Sequence, residues 1–214
     1  MLGGLELFLL VVSVDVVCGP LLTFVIFNPN KSRQELILDL GVVGCLQVVA
    51  LFYGLHTVWV ARPIYLAYEF DRFHVVTFVD LESDDWSKIP AEIDRPSFTG
   101  PKLLGVRVAK ADDPDYLDQL QLSLNGQDAV FRPDRWAPYE RFQEQLLGRA
   151  HEVSELKSRY AESLAEIDEA VRKTGQRPDQ LKWLPVQSRR GAGWVALVDG
   201  ESAQVVGWIP LDGF

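Results

Sequence analysis

The sequence predicts a membrane-anchored α+β protein: an N-terminal transmembrane helical hairpin, then a soluble domain with antiparallel strands and one long helix. Three observations predict it. Two apolar runs, about 5–27 and 37–61, are each long enough to cross a bilayer core of ~30 Å at ~1.5 Å per residue. Charge is lopsided: residues 1–62 hold three basic side chains (Lys31, Arg33, Arg62) and four acidic ones (Glu6, Asp15, Glu35, Asp39), while the rest is charge-rich. After "ARP" at 61–63 the pattern turns to aromatic and β-branched runs bounded by turn residues. The domains are therefore 1–62, the hairpin, and 63–214, the soluble part.

The first run, "LELFLLVVSVDVVCGPLLTFVIF", has no basic segment before it and no small-x-small site after it, so it is not read as a signal peptide. No basic residue precedes Gly4, and Glu6 stands too close to it for a prepilin leader. The second run, "ILDLGVVGCLQVVALFYGLHTVWVA", carries Tyr53 and Trp59 near one end, where amphipathic rings suit a membrane interface. Between the runs lies the polar turn "NPNKSRQEL". Its Lys31 and Arg33 place the turn in the cytoplasm by the positive-inside tendency, and the domain after residue 62 outside it.

Asp15 is the unusual residue of the first run. A carboxylate at mid-membrane costs several kcal/mol unless it is paired, protonated or hydrated. At ~1.5 Å per residue from the turn it reaches the depth of Val49, within range of Gln47. Cys18 and Cys45 come out at similar depth, and Gly41 and Gly44 would permit close helix approach. Three roles fit Asp15. It is neutral and hydrogen-bonded to Gln47 or to backbone freed by Pro20. It contacts a partner helix. Or it serves proton or ion movement, for which two helices enclose no pathway alone. His56 reads as an ordinary interfacial histidine.

In the soluble part, residues 64–81 read as strand with a bend at 71–73, and 82–100 as loop or short helix. Residues 101–110 read as strand, and "DDPDYLDQLQLSLNG" as a short helix after acidic caps. From 137 to 173, apolar residues including Leu146, Val153, Leu156, Ile167 and Val171 recur near the helical period, with Gly175 as the C-cap and Gly148 as a possible interruption. "LKWLPVQSR", "GWVALVD" and "AQVVGWIPL" read as a β-meander whose last turn is "DGES".

Chemistry is sparse. The three histidines, His56, His74 and His151, form no metal-binding spacing, and there is no P-loop, dinucleotide fingerprint or nucleophile elbow. "HEVSE" at 151–155 lacks the second histidine of a zinc-protease helix and reads as a solvated face. The acidic pairs Asp84-Asp85 and Asp112-Asp113 read as loops, and "RRGAGW" as a turn. No catalytic residue, cofactor or metal is predicted. A net charge of −9 argues against nucleic acid, which requires a basic patch.

The segments "VDVVCGPLLTFVIFNPNK", "LQVVALFYGLHTVWVARPIYLAYEFDRFHVV" and "LPVQSRRGAGWVALVDGESAQVVGWIPLDGF" resemble the type IV pilin accessory proteins, bacterial inner-membrane proteins often encoded beside a major pilin. The likeness covers most of the chain. It implies a non-enzymatic, multi-pass inner-membrane factor for type IV pilus biogenesis, chaperone-like towards the cognate pilin, with a periplasmic C-terminal domain. Other pilus assembly proteins and the lipid bilayer are the further partners it implies. Members of that family usually carry another transmembrane helix before the "GPLL" segment. The likeness also implies that Asp15, Gly19, Pro20, Tyr53, Arg62 and Pro63, with Gln47 opposite Asp15, form a groove for the pilin's apolar helix. Two other functions fit the same chain: a membrane-anchored enzyme acting on pilin or envelope, and a structural component of the inner-membrane assembly platform.

Overall fold

The computed structural model describes residues 32–214 apart from 82–84, 98, 110, 115, 126, 127 and 190, and before them Val12, Ser13, Val17, Leu21 and Phe24. The chain divides between Arg62 and Pro63 into two compact units.

In the first unit the described element is helix α1, Arg33–Val60. Its start is written in "SRQE". The Ser32 hydroxyl accepts from the Glu35 amide at 3.3 Å, and the Glu35 carboxylate accepts from the Ser32 amide at 3.0 Å. This capping box satisfies two amides that otherwise lack partners at a helix start. The helix therefore begins four residues before the apolar run at 37–61. Its 28 residues span ~42 Å, and it is long and apolar enough to cross a membrane. The expected first span at 5–27, and with it the hairpin, lies almost wholly outside the described residues.

The second unit is built on one sheet. Its strands are β1 Pro63–Glu69, β2 Arg72–Thr77, β3 Lys102–Val106, β4 Trp136–Ala137, β5 His151–Glu152, β6 Leu181–Ser188, β7 Gly191–Asp199 and β8 Val205–Ile209. Their order is β4-β3-β1-β2-β6-β7-β8, with β5 also paired to β6. The single bent strand expected over 64–81 is corrected to an antiparallel hairpin, β1–β2, which reverses at Phe70 and Asp71 with Phe70 at φ +59°, while β6–β7–β8 forms the expected meander. The sheet is mixed rather than antiparallel throughout. β1 runs parallel to β3, and β2 parallel to β6. Such pairings join strands remote in sequence, so no hairpin signal announces them.

The single long helix expected over 137–173 is corrected to three: α3 Gln143–Arg149, α4 Val153–Arg159 and α5 Leu164–Thr174. A further helix, α2, runs Tyr116–Leu124. The chain runs helically through Gly148 and breaks at Ala150, which turns extended. His151 and Glu152 then pair with Trp183 and Lys182 of β6. Sheet pairing has overridden the local period. A second break falls at Tyr160, with φ −120° and ψ 60°. Gly175 caps α5 at φ +73°, as the sequence predicts.

Alternating strand residues feed two faces. One face carries Leu66, Tyr68, Phe73, Val75, Leu184, Val186 and Ala196 under Tyr139 and Leu146. The opposite face carries two clusters. Ile64, Tyr65, Val76, Leu104 and Trp136 form one, while α4 and α5 seal Trp183, Val195 and Leu197 in the other. Buried phenols find acceptors: Tyr139 donates to the Ala203 carbonyl at 2.5 Å, and Tyr65 to that of Asp94 at 2.9 Å. Burial pushes the Tyr65 phenol up to about 12, and the Tyr139 phenol higher still.

The β7–β8 turn is organised by Asp199. One of its carboxylate oxygens accepts from the amides of Glu201 and Ser202 and from the Ser202 hydroxyl, and the other from the Gln176 amide group. The Ser202 hydrogen bonds lead in lowering its pKa from 3.8 to about 2. A depressed carboxylate adds stability above its unfolded value and loses it as pH falls through the folded value. Asp199→Asn is therefore expected to be less stable than the wild type at neutral pH. The gap should narrow between pH 3.8 and about 2, as read by urea midpoints across that window. A gap that stays constant across it would refute the assignment.

Candidate functional site

Of the predicted site residues, Gln47 and Tyr53 fall on α1 and Arg62 and Pro63 at its exit. Between Leu40 and Val60 the helix has no Asp, Glu, Lys or Arg. The residues of α1 that are not fully exposed are Leu36, Asp39, Val43, Gly44, Gln47, Gly54 and Val58, with Val60 at its end. At about 100° per residue all of these but Val60 fall on one side. Gln47 therefore belongs to the covered side of α1, with the buried Val43 and Gly54. Tyr53 lies about 120° round the helix from Gln47 and is exposed. Its carbonyl accepts from the Thr57 hydroxyl at 2.9 Å. Gly41 and Gly44 have open space where a Cβ would stand, so neither marks a close approach among the described residues.

At the exit, the Arg62 guanidinium lies over the Trp59 ring, 3.9 Å from its centroid. A cation on an indole face is an attractive contact. Pro63 then opens β1, where its fixed φ suits a strand start and no ladder amide is forfeited. α1 thus brings Arg62 against Trp59 and sets Gln47 and Tyr53 on different sides. Asp15, Gly19 and Pro20, which complete the expected groove, lie outside the described residues. What the sequence reading missed is the S-x-x-E signal at 32–35, which was visible, and the role of Trp59 beneath Arg62.

In the second unit, titratable groups pair locally. His74 Nε2 lies 3.0 Å from Glu69, and His151 Nδ1 3.1 Å from Glu155. The expected solvated helix face at 151–155 holds for Ser154 and Glu155, exposed in the first turn of α4, and is corrected for its start. His151 sits in β5, and its ring stacks on Trp183 with centroids 4.8 Å apart. Among the described residues, no three His, Cys, Asp or Glu side chains gather as metal ligands.

Fold and site define an apolar helix of membrane-spanning length that leads directly into a mixed-sheet domain with flanking helices. Along its whole length the chain is similar to proteins of fimbrial assembly. It is 27% identical over 214 residues, 100% of this chain and 82% of the relative, to the fimbrial assembly protein of serogroup E1 of Dichelobacter nodosus. The serogroup I protein of the same organism is also 27% identical, over 215 residues, with the same coverage. The fimbrial assembly protein of serogroups C1 and C2 is 36% identical over 84 residues, 39% of this chain and 64% of that relative. No family model matches the chain, and no solved structure does. These relatives, aligned along the whole of this chain, bear out the resemblance to pilus accessory proteins.

Proposed function

We propose that this protein is a non-enzymatic, multi-pass inner-membrane accessory factor for fimbrial biogenesis, which holds the cognate pilin by its apolar helix before assembly. The observation that carries the reading is the end-to-end similarity to fimbrial assembly proteins. The apolar helix α1 supports membrane association. In this reading residues 5–27 and α1 form the hairpin, the domain from Pro63 onwards is periplasmic, and Asp15, Gly19, Pro20 and Gln47 receive the pilin helix. Tyr53, Arg62 and Pro63 flank it at the membrane exit.

A polar contact between membrane helices is worth ~1–2 kcal/mol, or about a tenfold change in affinity. Pilin co-purified from membranes with an Asp15→Ala chain is therefore expected to fall about tenfold. Undiminished capture would remove Asp15 from the site. A deletion strain that keeps normal surface pili and pilin level would overturn the function itself.

A further inference from the structure

We propose that α2 is a docking helix for a cationic amphipathic helix on a partner protein. Leu117, Leu120 and Leu124 recur at i, i+3 and i+7, so they line one side of α2. They are 74%, 45% and 80% exposed. The other helices of this unit bury their apolar stripes: Leu146 in α3, Val153 and Leu156 in α4, Ile167 and Val171 in α5. None of the described residues of α2 is buried. Three leucines over two turns match the anchor spacing with which one amphipathic helix takes another.

The charge around the stripe selects the occupant. Between Lys110 and Arg132, which bound the segment, there are five acidic residues, Asp112, Asp113, Asp115, Asp118 and Asp128, and no basic one. A second copy would set this acidic segment against itself. The anionic surface of a bilayer would be repelled in the same way. A helix with an apolar stripe edged by Lys or Arg satisfies both features: it covers the leucines and answers the aspartates. This surface belongs to the second unit, and the inference does not depend on the pilin reading.

The test uses the full chain in cell membranes, with a photoreactive residue in place of Gln121, beside the stripe. The expected adduct is a protein segment that is helical, amphipathic and rich in Lys or Arg. The adduct should fall roughly tenfold or more in Leu117→Gln/Leu120→Gln/Leu124→Gln, as for loss of an anchoring cluster. A synthetic peptide of the captured segment should bind the full chain more weakly in Asp112→Asn/Asp113→Asn/Asp118→Asn and at raised salt. Glutamine keeps helix propensity, and Leu120→Gln alone gives a milder variant should the triple one unfold. Adducts only with lipid, with a second copy or with an acidic segment would overturn the proposal. So would no adduct, or one that the leucine changes leave undiminished.

Discussion

Gly105→Ala is expected to destabilise the second unit by about 1–3 kcal/mol or more, as overpacking in a closed core does. A Cβ built on Gly105 would stand 2.0 Å from Phe142 Cδ2 and 2.4 Å from Cε2. The glycine is needed because β3 passes directly beneath the Phe142 ring, not because of its backbone angles. The ring itself is held edge-on to Tyr68, centroids 6.3 Å apart, so it cannot swing away freely. Urea midpoints of the detergent-solubilised chain, followed by tryptophan fluorescence, measure the cost. Phe142→Leu in the same chain should return part of it, since a smaller side chain leaves room for the methyl. If Gly105→Ala matches the wild type, the close approach of β3 and Phe142 is wrong.

The second large effect is expected at Trp183, where Trp183→Ala should cost about 3–5 kcal/mol. The indole is 1% exposed and fills the cluster between the sheet and helices α4 and α5. It also donates to the Glu152 carbonyl at 3.1 Å and carries the stacked His151 ring. Removal therefore opens a cavity, leaves a carbonyl without its donor and loosens β5 from β6. Trp183→Phe should cost less, because it keeps most of the volume and loses the hydrogen bond. Hydrogen exchange should report the local part: amides of α4 should lose protection first in either variant. Equal protection in α4 and β8 would show that Trp183 does not hold the β5–β6 junction.

The fold was legible mainly where its contacts are local. The β6–β8 meander and the glycine cap of α5 follow from alternation, turn residues and Gly175, whereas the reversal between β1 and β2 was read only as a bend within one strand. Residues 137–173 misled because an apolar period reports burial, not continuity. Ala150 breaks the helix without a proline or glycine, since the pairing of His151 with Trp183 lies thirty-two residues away (183 − 151). The parallel pairs β1–β3 and β2–β6 were hidden for the same reason. At the site, Gln47 was placed by its depth along the expected hairpin, which does not say which way it faces, and α1 puts it on the less exposed side. The capping box was readable at Ser32 and Glu35 and extends the helix back to Arg33. Tyr53 was assigned to an interface by residue type, which does not say which way round the helix it points.

The pairing of β2 with β6 also sets when this domain becomes able to fold. Phe73 sits beside Val186, so the first hairpin joins its neighbour only after nearly the whole chain has been made. Tyr68 and Phe73 share a core with Leu184 and Ala196 and stay uncovered until then. Contacts between residues so far apart make closure slow and leave apolar strand surface open meanwhile. A chain that emerges vectorially would thus pass through a long sticky interval. Truncations ending before β6 should accumulate as aggregation-prone fragments rather than as smaller folded units.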